Sequence, residues 1–211
     1  MWLLAVAALA QAPAPTLWAG HQVTVAVRRV PLLGAIETRQ DVFMLAEVVD
    51  RGDALTLVER ACHITLVSTA GVTLRFAPAA VRRLPHPTIA FTRASDGVWR
   101  AAWRNGWGEA DVDGNGQPGF SVGVEARVCS GQLEVASQTQ FQATGHRDDT
   151  GLHGQVDLQI ERDILAASNT CLSLVPRKSH DLVSGAFAYA PAPPGATCEG
   201  LDPSAWPVRV P

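Results

Sequence analysis

Asp111, Asp113 and Asn115 place oxygen-bearing side chains on alternate positions, with glycines at 114, 116 and 119 around them. In a loop that bends sharply, alternate residues turn their oxygens toward one point, and a glycine permits the bend. A hard cation such as Ca2+ takes about six to eight oxygens in such a cradle. The backbone carbonyl of Gln117 is the next candidate ligand, so the metal-site expectation is Asp111, Asp113, Asn115 and Gln117. The same residue types also build a plain β-connection held by its own Asx turns. Both readings stand at the level of sequence.

Other chemistry has less to work with. Gly119-Phe120-Ser121-Val122-Gly123 matches the G-x-S-x-G nucleophile pattern, which needs a strained turn between a strand and a helix. Here a turn precedes Ser121 and an alternating strand follows it, which places Ser121 on a pleated face. The histidines at 21, 63, 86, 146, 153 and 180 show no HExxH pairing. No glycine-rich phosphate loop follows a strand and opens a helix. Trp99, Trp103 and Trp107 recur every fourth residue, as large core residues or as the wall of an apolar or sugar-stacking cavity. Asn105-Gly106 is expected to break their strand before Trp107. Arg51-Gly52-Asp53 is read as a hairpin tip rather than an adhesion motif.

The elements that must position these residues are strands. Val23, Val25 and Val27 alternate with Thr24, Ala26 and Arg28, and a turn at Pro31 to Gly34 ends that strand. Strands follow over Ile36 to Val49, Leu55 to Val67 and Val72 to Phe76. Ala79 to Leu84 is the helical candidate, and Thr88 to Thr92 with Val98 to Trp103 flank a Ser95-Asp96-Gly97 hairpin. After the acidic loop, Phe120 to Val128, Leu133 to Ala143 and Leu152 to Ile160 alternate cleanly, and Leu182 to Tyr189 forms the last strand. Short turns join sequence neighbours, which predicts an all-β antiparallel meander closing into a lipocalin-like β-barrel, with a two-sheet sandwich as the alternative.

Composition narrows the class. The chain has 211 residues, 47% hydrophobic and 18% charged, with a formal net charge of −3. That supports one globular domain over residues 15–190 and offers no basic face for nucleic acid. Residues 1–14 read as an export signal: a short apolar run with Ala8-Leu9-Ala10 as the cleavage site. Cysteines at 62, 129, 171 and 198 agree with an oxidising compartment, so a secreted or periplasmic location is expected. Three pairings are open to four cysteines and the sequence does not choose among them; the one favoured is Cys62 with Cys129 and Cys171 with Cys198, the latter pinning a Pro-rich tail at 191–211. Membrane insertion is not expected, because a single tyrosine leaves no aromatic girdle for a membrane barrel.

The Asp111–Gly116 spacing resembles the first half of an EF-hand calcium loop, and thrombospondin type 3 and dockerin loops. It departs at position 12, where Val122 stands in place of a bidentate Glu. Trp99 to Phe141 also resembles a group of uncharacterised secreted bacterial β-proteins. These share a tryptophan-bearing strand, a D-x-D-G-[DN]-G-x-P-G loop and two alternating strands. That resemblance implies export and β-structure. The expected role is therefore a non-enzymatic binding or structural protein with a weak calcium loop, its partner an unidentified protein. A carrier of a small hydrophobic ligand is the second reading, and a hydrolase using Ser121, or Glu109 with Asp111, the third.

Overall fold

A computed structural model describes residues 14–30, 34–127 and 129–210. The expected export signal lies almost wholly outside these residues, as do most of the turn at Pro31 and Val128. The strands are β1 (Thr16–Val30), β2 (Gly34–Asp50), β3 (Ala54–Ser68), β4 (Thr73–Arg75), β5 (Thr88–Arg93), β6 (Trp99–Trp107), β7 (Phe120–Glu125), β8 (Gly131–Asp148), β9 (Gly151–Ala167) and β10 (Lys178–Pro191). One short helix, α1 (Pro78–Val81), lies between β4 and β5.

These strands form one antiparallel sheet that closes on itself as a ring of eight. Going round, β1 pairs with β2, β2 with β3, β3 with β5, β5 with β6, β6 with β8, β8 with β9, β9 with β10, and β10 with β1. The meander fails at two places, and the reason is geometric. β6 and β7 do not lie side by side; both run antiparallel to β8 along the same edge. Trp107 pairs with Ser137 and Phe120 with Val135, so β6 and β7 are two halves of one interrupted strand. β4 and β5 are related in the same way along β3, with α1 in the interruption. The β4 half then pairs with β7, as β5 pairs with β6.

Alternation fills the ring. Phe91, Trp99, Leu152, Val156, Phe187 and Tyr189 belong to a core at one end. Val81, Phe120, Val122, Leu133 and Val135 form a second core at the other. Several strands run longer than their apolar stretches imply, because ladder hydrogen bonds carry the flanking polar residues along. β8 reaches Asp148 before the turn, and β10 spans Lys178–Pro191. β7, by contrast, stops at Glu125, where Cys129 N–H turns back to the Ala126 carbonyl at 3.4 Å. The break expected at Asn105-Gly106 does not occur. β6 continues through it, since a bare Gly106 leaves room for the Ser137 carbonyl, only 2.4 Å from where a Cβ would stand.

The disulfide pairing is corrected by the ladder. Cys62 bonds Cys198, and Cys129 bonds Cys171. β2 pairs Phe43 with His63 and Met44 with Ala61, leaving Cys62 as the extra residue of a β-bulge. The bulge carries Cys62 into a separate outer cluster with Ala19, Phe43, Leu45, Cys198 and Trp206. Cys129 precedes β8 and Cys171 follows β9, and the β8–β9 ladder brings those two ends together.

Candidate functional site

The acidic loop is an insertion within a strand. Its ends, Trp107 and Phe120, are held against Ser137 and Val135 of β8, so a long excursion leaves and re-enters the ring at nearly one point. Trp107 Nε1 donates to the Val135 carbonyl at 2.6 Å and fixes the exit. Asp111 bridges Gly119, with Val112 N–H to the Gly119 carbonyl and Gly119 N–H to the Ala110 carbonyl, both 3.0 Å. The loop is thereby cinched at its neck.

Asp111 organises the bend. Its Oδ1 accepts the N–H groups of Gly114 at 2.7 Å and Asn115 at 3.1 Å, and its Oδ2 accepts that of Gly116 at 2.8 Å. Gly116 takes φ +84°, the left-handed region where glycine is unstrained. The Gly116 N–H, then those of Gly114 and Asn115, hold the Asp111 carboxyl below its ordinary range, and Asp113 contributes a further contact.

Asp113 faces the other way, toward β7. Its Oδ2 accepts the Ser121 N–H at 3.0 Å, and its carbonyl accepts Arg83 Nη1 at 2.6 Å. Arg83 belongs to the interruption between β4 and β5, so the two insertions touch. Asp113 Oδ1 is buried and has no hydrogen-bond partner among the described residues. Asn115 Oδ1 accepts the Gln117 N–H at 2.6 Å, and its Nδ2 donates to Ser121 Oγ. Gln117 itself is exposed.

The sequence hides one member of this site. Ser121 pairs with Glu134 across the β7–β8 ladder, and Ser121 Oγ donates to Glu134 Oε2 at 2.7 Å. Gln132 Nε2 donates to Glu134 Oε1 at 2.8 Å. Glu134 is only 6% exposed. An acidic residue on the polar register of an alternating strand reads as a solvated position. Its burial goes with its cross-strand partner Ser121 of β7, which no pattern in β8 reveals. The loop thus brings together Asp111, Asp113 and Asn115, with Glu134 behind Ser121. Among the described residues, no three His, Cys, Asp or Glu side chains converge on one metal position. What the loop offers is a mixed set of carboxylate, amide and carbonyl oxygens.

Trp99, Trp103 and Trp107 share one face of β6, because the break expected before Trp107 is absent. Trp99 is buried in the first core, Trp103 stacks on Phe141 at 4.6 Å between ring centroids, and Trp107 packs against Phe120 at 5.5 Å. Ser121, the residue of the G-x-S-x-G match, is on a strand and engaged by both an amide and a carboxylate. The sequence matches no family model, no curated protein and no solved structure.

Proposed function

We propose that this chain is an exported, non-catalytic β-domain, a binding or structural component in which the Asp111–Gly119 loop takes a calcium ion as a structural fastener. The observation that carries the reading is Asp113 Oδ1, a carboxylate oxygen buried without a partner beside the Asp111 carboxylate. A buried, unpaired carboxylate oxygen is costly, and a cation relieves that cost. The donors are hard oxygens, which suits Ca2+ rather than a thiolate- or imidazole-seeking metal. Asp111, Asp113, Asn115 and the Gln117 carbonyl are the ligands proposed. With so few carboxylates the affinity belongs in the range of about 10⁻⁴ to 10⁻³ M.

Two disulfides and a folded, hydrogen-bonded loop support a secreted or periplasmic setting. Aromatic side chains packed within the ring favour a structural role over the second reading, a carrier of small hydrophobic ligands. Ser121 is committed to Asn115 and Glu134, which speaks against the hydrolase reading.

The test is thermal unfolding of the disulfide-intact protein in millimolar calcium, in magnesium and in chelator. Calcium should raise the melting temperature and chelator should reverse the rise. Asp113→Ala should abolish the response. An identical melting temperature in calcium and chelator would exclude the ion.

A further inference from the structure

The segment that follows β10 returns over the outside of the ring as a strap. Cys198 ties it to the bulge in β3, and His63 Nε2 lies 3.1 Å from the Cys198 carbonyl. Trp206, 4% exposed, packs beside Phe43 and donates its Nε1–H to the Gly20 carbonyl at 2.9 Å. Farther along, Arg209 sits over the Phe43 ring at 5.0 Å, and the Val210 N–H donates to His21 Nδ1 at 2.9 Å.

His21 is 1% exposed and stacked on Phe43 at 4.6 Å between centroids. Its Nε2 lies 3.1 Å from Asp41 Oδ1. The two contacts fix the tautomer. A ring nitrogen that accepts a backbone N–H has a free lone pair, so Nδ1 is bare and Nε2 carries the proton toward Asp41. This arrangement exists only for the neutral imidazole. A proton on Nδ1 would set two N–H donors against each other at hydrogen-bond distance.

We propose that His21 is an acid-sensitive latch that holds the 206–210 end of the strap against β1 and β2. Protonation of Nδ1 breaks the Val210 bond and frees that end, while the Cys62–Cys198 disulfide keeps the strap tethered. Lifting it uncovers an apolar patch of Ala19, Phe43 and Leu45. The charged groups facing His21 set the threshold. Asp41 on β2 favours the imidazolium. Its charge is shared with Arg39, whose Nε and Nη2 donate to Asp41 Oδ2 and Oδ1, each at 2.9 Å. Arg209 of the strap opposes a second positive charge. His63, on the far side of Trp206, faces the same strap at 5.9 Å between ring centroids. Burial is the largest influence and holds His21 below its ordinary range, with Asp41 pulling the other way. The latch is therefore closed at neutral pH and opens below it.

The experiment is backbone amide exchange at residues 208–210 of the disulfide-intact protein, corrected for the intrinsic pH dependence of exchange. Val210 protection should be lost progressively between pH 7 and pH 5, because the imidazole held neutral by burial and by the Val210 bond takes a proton more readily once the strap lifts. His21→Gln, a neutral side chain that can both accept and donate, should keep its protection across that range. Constant wild-type protection, or an equal loss in His21→Gln, would overturn the latch. If that variant does not fold, the imidazole ¹⁵N shifts of the wild type decide. A neutral Nε2–H tautomer at pH 7 supports the proposal; an Nδ1–H tautomer or an imidazolium removes it.

Discussion

Ser121 and Glu134 face each other across the β7–β8 ladder and are joined by a 2.7 Å hydroxyl–carboxylate hydrogen bond beneath the acidic loop. This one contact couples the loop to the ring wall, because Asn115 Nδ2 reaches the same hydroxyl from the loop side. Glu134→Ala removes a buried carboxylate and takes the acceptor from the half-buried Ser121 Oγ and from Gln132 Nε2. It should cost about 1–3 kcal/mol of stability, read from denaturant unfolding at pH 7. An unchanged unfolding midpoint would mean that the loop rests on the wall without depending on it.

Gly119 closes the loop where the strand resumes. Its φ is +82°, and a Cβ there would stand 2.7 Å from the Val135 carbonyl. Gly119→Ala therefore meets both backbone strain and a clash with a ladder carbonyl that cannot swing aside. The expected loss is about 2–3 kcal/mol. Gly52, also at positive φ but with nothing within 4 Å of the added Cβ, provides the control. Gly52→Ala should lose less, and equal losses at the two sites would show that the contact with Val135 does not matter.

The strands were legible because each buries one face, and period-2 alternation is the direct record of that. The end-to-end arrangement of β6 and β7 was not. A loop between two strands reads the same whether they pair with each other or share a third, and only the common partner β8 decides. Cys62 was misassigned for a related reason. A bulge shifts a residue to the opposite face without leaving a sign in composition, so the outward position of Cys62 depended on its register with β2. Within the candidate site, Asp111, Asp113 and Asn115 were visible because their contacts are local. Glu134 was hidden because it reaches the loop only through the fold.

Glu59 should give the ring an alkaline weakness. Its carboxyl lies deep among neighbouring atoms on β3, and burial raises it to about 7 although the Tyr189 hydroxyl donates to it. The folded protein therefore holds a proton that the unfolded chain releases at ordinary carboxylate values near 4.5. Stability from this group is fully present below that lower value and is lost as pH rises through about 7. Glu59→Gln keeps an acceptor for Tyr189 and removes the titration. It should be more stable than wild type at pH 8, with the difference shrinking toward pH 4.5. A parallel offset at both pH values would show that Glu59 does not titrate in this window. The His21 latch weakens the strap in the opposite direction, on acidification, so the two effects separate by sign.

The two disulfides should contribute unequally to the strap and the ring. Cys62–Cys198 closes a sequence separation of 136 residues, against 42 for Cys129–Cys171, and of the two bonds it is the one that ties the strap covalently to β3. Chain entropy makes the longer closure worth somewhat more, about 4–5 kcal/mol against about 3–4 for the shorter one. The more telling difference is local. Replacing Cys62 and Cys198 by alanine leaves only non-covalent anchors of the strap, among them Trp206, the Arg82–Glu199 ion pair at 2.9 Å and the His21–Val210 bond. Amides of residues 196–210 should then exchange faster at pH 7, while those of β8 and β9 change only through the global stability. Replacing Cys129 and Cys171 should instead loosen residues 126–131 and 168–175 and leave the strap protected. A uniform loss of protection in both double variants would mean that strap and ring unfold as one unit, and the strap would have no independent opening for His21 to control.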